Sequence, residues 1–479
     1  MATITETMDF GQYPLQVRPE PLRLRSGNIR HGIVAAPPSP ITCGASSCES
    51  SNQDVEKLER PLPPVDGGKA AWKFLFAAFM VEAFIFGFPL NYGVFQNYYF
   101  NHPPLEGNTN LSTIGTLGTA FYFLGAPIAT YLVRRYHRWQ REVIWTGSSV
   151  SVIGLLAASF APDFGTLVAT QGVIFGMGIL IMYYPVFNML NEWFIDRRGL
   201  ALGILCAATG FSGLFYPFVL EVLLDRYGPA TTLRVSALAL TVLCGPVLPL
   251  LHGRYPRSYH ENIPKADCSF FKMPLFYIFS LVALLQGMGF YFPMIYLPSF
   301  ATSLGLSDQM GASLLVVSSF AQMLGQVGFG YSSDLRIKRF WINERLPVET
   351  LVFISPLISG IAILGLWGMA SSILRLVAFA LVYGIFAGGF VVLWARMGTA
   401  LSPSPSLALI TFSAFACERG IGSVATGPIS SALLTAEVNT EEYGIGRFKN
   451  VILYSGMCML ASAAVMLVWF VWRRITRWA

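Results

Sequence analysis

Residues 66–96 read DGGKAAWKFLFAAFMVEAFIFGFPLNYGVFQ. After Asp66, Gly67 and Gly68 the stretch is apolar almost without interruption, and its middle carries one acid, Glu82. A run of about 20 apolar residues spans a bilayer core of about 30 Å, so the stretch reads as a membrane helix with a carboxylate at depth. The whole chain repeats this character, with 54% hydrophobic and 12% charged residues among 479. Such a composition excludes an ordinary soluble domain and indicates a polytopic membrane protein.

Windows of this kind recur twelve times, at about 72–97, 112–133, 143–161, 166–190, 199–222, 231–251, 273–299, 309–331, 350–370, 374–398, 406–434 and 449–472. The expected fold is an all-α membrane protein of twelve transmembrane helices in two six-helix halves. Residues 66–251 form the first half and 273–472 the second, joined by a connection at 252–272. Two halves packed around a central cavity suit alternating exposure of a midplane site.

Short cytoplasmic loops retain Lys and Arg. With the first residues inside, the inner loops hold Arg134, Arg135, Arg138, Arg141, Arg197, Arg198, Arg254, Arg257, Lys265, Lys272, Arg336, Lys338, Arg339 and Arg345, and the segment 473–479 adds three arginines. The outer loops hold only Arg226, Arg234, Arg375, Arg447 and Lys449. Both termini are therefore expected in the cytoplasm, in the plasma membrane or an organelle. The net charge of +6 follows from this topology without a nucleic-acid partner. Residues 1–65, rich in Pro, Ser and charge, read as a disordered cytoplasmic tail.

The seven cysteines form no Cys-x-x-Cys metal pattern. Cys43, Cys48 and Cys268 fall on the inner side, while Cys206, Cys244, Cys417 and Cys458 lie in apolar windows, where a thiol packs as a small hydrophobe. All five histidines lie outside the spans; with no Walker-type loop or His-Glu-x-x-His, an enzyme and an ATP-driven pump are both disfavoured. No cofactor or metal is implied. Asn110-Leu-Ser is a glycosylation sequon in the first outer loop, close to the membrane.

Several motifs carry a family resemblance. GYSSDLRIKR at 330–339 resembles the Gly-x-x-x-Asp-Arg/Lys-x-x-Arg/Lys loop of the major facilitator superfamily. The resemblance implies close helix approach at Gly330, pairing of Asp334 with a helix end or an Arg, and closure of the cytoplasmic face by Arg336, Lys338 and Arg339. The first-half copy, GAPIATYLVRRYHRW, has Thr130 near the place of the acid. DGGKAAW resembles the start of the monocarboxylate porter family, especially its fungal branch, through Asp66, Gly67, Gly68 and Trp72. EWFIDRRGLALGI at 192–204, with Arg197, Arg198 and Gly199, resembles that family's signature at helix five. Segments 270–301 and 420–430 look like its helices seven and eleven.

Membership implies secondary transport of a small organic solute, coupled to protons or not, by a functional monomer. In the animal lactate carriers helix one has a Lys after its Pro, and helix eight an Asp followed four residues later by an Arg. The matching positions here are Leu90, Gln322 and Gln326. A carboxylate entering a low-dielectric cavity normally needs a cation, so lactate handled in that way is not expected. A larger, neutral or amphipathic solute fits better, contacted by Asn91, Tyr92, Gln96, Gln286, Tyr291, Gln322 and Gln326, although such groups also serve as interhelical glue. Export of a secondary metabolite is the first reading; import of a carboxylate or vitamin-like nutrient, and a non-transporting sensor on the same fold, are the alternatives.

Intramembrane charges mark pathways or partner pairs. Glu82 lies about eleven residues into its span, about 16 Å deep at 1.5 Å per residue, and Glu418 and Arg419 lie at similar depth in the eleventh. Glu82 either alternates protonation with solute binding or pairs with Arg419. Glu418 and Arg419 diverge by about 100° on their helix. Arg396, near the inner end of span ten, is a secondary solute contact or a snorkelling cation.

Overall fold

The computed structural model describes residues 62–478 apart from 107, 256–268, 340–341, 402–404 and 435–442. The expected tail up to residue 61, most of the 252–272 connection, and Cys43, Cys48, Cys268, Arg257 and Lys265 lie outside the described residues. Residues from Leu62 onward form one compact unit.

The apolar windows form helices. α1 spans Gly68–Asn101; α2 (Ser112–Leu124) and α3 (Ala126–Arg135) meet at a 46° bend; α4 is Gln140–Ala158 and α5 Phe164–Trp193. α6, Arg198–Cys244, runs 47 residues, about 70 Å at 1.5 Å per residue and so long enough to cross twice. It is broken at Gly228 (φ 74°, ψ 173°) before Pro229, a conformation open to glycine, and this break separates the windows 199–222 and 231–251.

The C-terminal set comprises α7 (Pro274–Ser303), α8 (Asp308–Asp334), α9 (Val348–Trp367), α10 (Ile373–Leu401), α11 (Pro405–Leu433) and α12 (Lys449–Trp478). Among the described residues eight helices are long and apolar enough to cross a membrane, or nine with the bent α2–α3 pair. α4 and α11 stand outside that group: α4 opens on Gln140, Arg141 and Glu142, and α11 carries Glu418 and Arg419 in mid-helix. The segment read as a plain loop after α8 contains a short antiparallel hairpin, β1 (Arg336–Arg339) and β2 (Ile342–Arg345), with Arg336 opposite Arg345.

Small residues let the helices cross closely. A Cβ on Gly176 of α5 would lie 2.9 Å from the Gly118 carbonyl oxygen of α2, and one on Gly384 of α10 would lie 2.6 Å from that of Ser318 on α8. One buried apolar cluster runs from α1 through α6 into α10 and α11, and a second joins α7, α9, α10 and α12.

Candidate substrate site and gate

Glu82 sits where α1 loses regular geometry. Residues Glu82–Phe86 form a π-turn, and Pro89 downstream has no N–H to give to the preceding turn. At Asn91 the backbone N–H turns to the Phe88 carbonyl, and the side-chain N–H donates in its place to the Gly87 carbonyl at 2.7 Å. Such widened turns occur frequently at functional sites. The Glu82 side chain is 6% exposed, and among the described residues no hydrogen bond or ion pair joins it to a neighbour. It acts electrostatically on Tyr122, Tyr183 and Cys206.

A continuous aromatic path leads away from it. Phe86 packs edge-on to Tyr122 (4.4 Å between centroids) and beside Tyr183 (5.1 Å). Tyr183 stacks on Phe187 (6.3 Å), and Phe187 on Phe412 (4.0 Å). Phe412 then meets Trp394 edge-on at 5.5 Å. The Phe187–Phe412 stack crosses from α5 to α11, joining the N-terminal helices to the C-terminal set.

Arg419 lies at the far end of this path. Its Nε donates to the Tyr291 hydroxyl at 3.3 Å and its Nη1 to Gln286 Oε1 at 3.2 Å. Its guanidinium carbon lies 3.7 Å from the Phe290 ring centroid, 5.2 Å from Tyr291 and 5.9 Å from Trp394. The expected Glu82–Arg419 partnership is therefore not an ion pair in this conformation. Glu418 turns away toward Ser280 on α7, as its helical offset requires.

The expected cavity polar groups divide. Gln286 and Tyr291 belong to the Arg419 cluster, Gln286 also donating to the Ala387 carbonyl at 3.4 Å. Gln322 and Gln326 both donate to Thr209 Oγ1 on α6, at 3.3 and 3.4 Å, so they bind helices together. Tyr92 donates to the Leu111 carbonyl at 3.0 Å. Gln96 is half-buried, while Leu90 is 47% exposed. Asn110 is exposed in a short turn just before α2. A cleft of about 120 Å³ beside Tyr98, His102 and Asp163 includes neither Glu82 nor Arg419.

At the arginine-rich end, the turn leading into α6 and the first turn of α6 are each held by a carboxylate. Asp334, closing α8, accepts from the Gly199 and Leu200 amides at 3.1 and 2.7 Å. Arg396 Nε stands 4.0 Å from Asp334, which places Arg396 at this junction and away from Arg419. A Cβ on Gly203 would lie 2.5 Å from the Gln326 carbonyl oxygen and 3.2 Å from Gly330 Cα; only bare backbone allows α6 and α8 this approach. Asp66 accepts from the Ile195, Asp196 and Arg197 amides at 2.8, 3.0 and 2.9 Å, and its own amide donates to Trp193 O at 3.0 Å. Carboxylates suit amides at a helix start, where donors lack intrahelical partners. Gly68 takes φ +84°, and Trp72 packs edge-on to Phe194 at 5.9 Å.

The sequence profile described as Major Facilitator Superfamily matches residues 74–343, more than half of the chain. The chain belongs to the major facilitator superfamily. Among its relatives, the MFS transporter asaE of Aspergillus flavus is 26% identical over 422 residues, covering 87% of this chain and 91% of the relative. The Fujikurins efflux protein of Gibberella fujikuroi is 26% identical over 427 residues (88% and 87%). The Agnestins efflux protein AgnL12 of Paecilomyces divaricatus is 26% identical over 357 residues (74% and 77%). The fold is similar to crystal structures of the human organic anion transporter MFSD10 (TM-score 0.62, 12% identity, 83% of this chain and 99% of that one) and of FucP in the outward conformation (0.61, 12%, 82% and 97%). The chain is thus a membrane transporter and not an enzyme.

Two parts of this facilitator's machinery escape a reading of the sequence. The capping role of Asp66 links it to amides about 130 residues away, although the Asp-Gly-Gly motif marks the spot. A second cluster joins His137 Nε2 to Glu192 Oε1 (3.2 Å), while Glu192 Oε2 accepts from the Arg254 amide (3.0 Å) and Arg254 Nε donates to Pro63 O (2.9 Å). Glu192 and His137 carry no local pattern that announces the contact. Among the described residues no group of three metal-ligating side chains gathers, and the four described cysteines are free thiols.

Proposed function

We propose that this facilitator exports a small organic secondary metabolite by alternating access, with proton movement through Glu82. The carrying observation is the pair of buried opposite charges, Glu82 on α1 and Arg419 on α11, which are not paired with each other. Intramembrane charges are costly and mark transport pathways. Two relatives are named as efflux proteins for fujikurins and agnestins, which supports export over import.

The finer architecture belongs to the same reading. Twelve passes arise if α4 and α11 each cross once, α6 crosses twice and α2–α3 form one bent span. The N-terminal helices then make one six-helix half, and the C-terminal set the other. The arginine-rich end is cytoplasmic by the Lys/Arg distribution, placing both termini inside, with the plasma membrane as the site of action and a monomer as the working unit. The Asp-Gly-Gly and helix-five motifs favour the monocarboxylate-porter-like branch. The α6–α8 junction then acts as the inner gate and is closed here.

The test is deletion of the gene in its source organism, with untargeted mass spectrometry of cells and medium. The expected outcome is one metabolite retained in cells and lost from the medium, restored by the wild-type gene and not by E82Q. An unchanged distribution removes the export reading.

A further inference from the structure

Arginine keeps its charge at any physiological pH and carries five N–H donors. Arg419 is 6% exposed, and two of those donors have acceptors, the neutral Tyr291 hydroxyl and Gln286 amide oxygen. The rest of its surroundings are ring faces. Glu418, its chain neighbour, faces Ser280, and Glu82 is not within ion-pair distance. A second buried donor of the same cluster, Trp394 Nε1, has no hydrogen-bond partner, although Trp394 is fully buried. The cluster therefore has an excess of positive charge and of donors, fixed in place by stacking and hydrogen bonds, and lacks an anionic acceptor.

We propose that Arg419 seats the anionic group of the exported solute, and that the solute is an organic acid with a planar ring body. The inference rests on the transport reading and names its substrate class. A carboxylate presents two oxygens to the guanidinium fork, the geometry that makes Arg–carboxylate contacts strong and directional. Phe290, Tyr291 and Trp394 offer ring faces and edges to a planar body, and the Tyr291 hydroxyl, which accepts from Arg419 Nε, retains its own proton to donate. A cation in place of those missing at Leu90 and Gln326 is thus supplied from α11. An uncharged solute of the same shape leaves the guanidinium unneutralised, so the site discriminates by charge as well as by shape.

The probes are 1-naphthoate and its neutral isostere 1-naphthamide, titrated by calorimetry against the full chain in lipid nanodiscs. Wild type is expected to bind naphthoate at least about tenfold more tightly than naphthamide, the range of one charge-assisted contact. R419Q is expected to remove the preference, R419K to keep a fraction of it, and Y291F to reduce it severalfold. Absence of a naphthoate preference in wild type, whether both probes bind equally or neither binds, overturns the proposal, as does its survival in a monodisperse R419Q protein. If R419Q does not yield monodisperse protein, R419K decides: affinities for both probes equal to wild type overturn it. The deletion experiment reads export whatever the solute's charge, so a retained metabolite with a failed naphthoate titration removes the anion seat alone.

Discussion

In the proposed cycle, Glu82 and Arg419 divide the work that a single ion pair would cancel. A permanent pair would leave neither group free to respond to a proton or a solute, whereas two groups linked only through an aromatic path can each change partner between states. In proteoliposomes loaded with the metabolite that the deletion strain retains, E82Q is expected to lower transport driven by an imposed pH gradient about tenfold or more, a barrier change of about 1.4 kcal/mol. Unchanged gradient dependence in E82Q would exclude this residue from coupling. At the start of α5, outside the membrane-spanning part, hydrogen bonds from the Thr166 hydroxyl and then the Thr166 and Gly165 amides hold the Asp163 carboxyl below its ordinary range. A lowered folded pKa adds stability that is present above the unfolded value and lost as pH falls through the folded one. D163A should therefore lower the melting temperature at neutral pH by an amount that shrinks as the medium is acidified; a pH-independent loss would contradict the capping account.

At the scale of single elements, α6 is the part most constrained by its surroundings. The turn leading into it is held by Asp66 and its first turn by Asp334, and its next turn meets Gln326 and Gly330 backbone to backbone. G203A places a methyl group against a carbonyl oxygen and should disfavour the closed α6–α8 junction by about 1–3 kcal/mol, read as faster thiol labelling of single cysteines introduced along α6. D66N keeps one acceptor oxygen but loses the charge shared by three amides, and is expected to lower stability by about 1–2 kcal/mol in thermal unfolding followed by size-exclusion fluorescence. Equal melting of D66N and wild type would show that the backbone of this turn holds itself. The same element shows what a linear reading misses. Apolar length and the Gly-Pro break at 228–229 mark α6 as two apolar windows, but nothing local says that Thr209 gathers the side chains of both Gln322 and Gln326, which ties the helices together through two residues expected in the cavity.

Across the whole molecule, the helix order and the loop motifs were legible, because bilayer thickness acts on local composition. Most pairings were not: Arg419 with Gln286 and Tyr291 depends on how α11 packs on α7, and Phe187 with Phe412 on how the N-terminal and C-terminal helices meet, although the loop motif did anticipate a helix end as the partner of Asp334. Transport requires that meeting surface to part. A Cβ on Gly213 would lie 2.9 Å from Ser319 Cβ, closer than the usual disulfide spacing of about 3.8 Å, so a slight parting of the two helices admits the bridge. G213C/S319C in a background without other cysteines should form a disulfide under mild oxidant and stop export, with recovery in reductant. Full activity of the oxidised, cross-linked protein would show that α6 and α8 do not separate during the cycle.

The attachment of residues 63–66 has a practical meaning for anyone preparing this protein. Asp66 serves the Ile195, Asp196 and Arg197 amides, and Pro63 O receives Arg254. An affinity tag joined upstream of Leu62 leaves both contacts whole. Trimming to the first residue of α1 strips three amides of their carboxylate and the Arg254 Nε of its acceptor at once, so a truncation chosen by hydropathy alone would yield a transporter whose helices are all present and whose arginine-rich face is loosened.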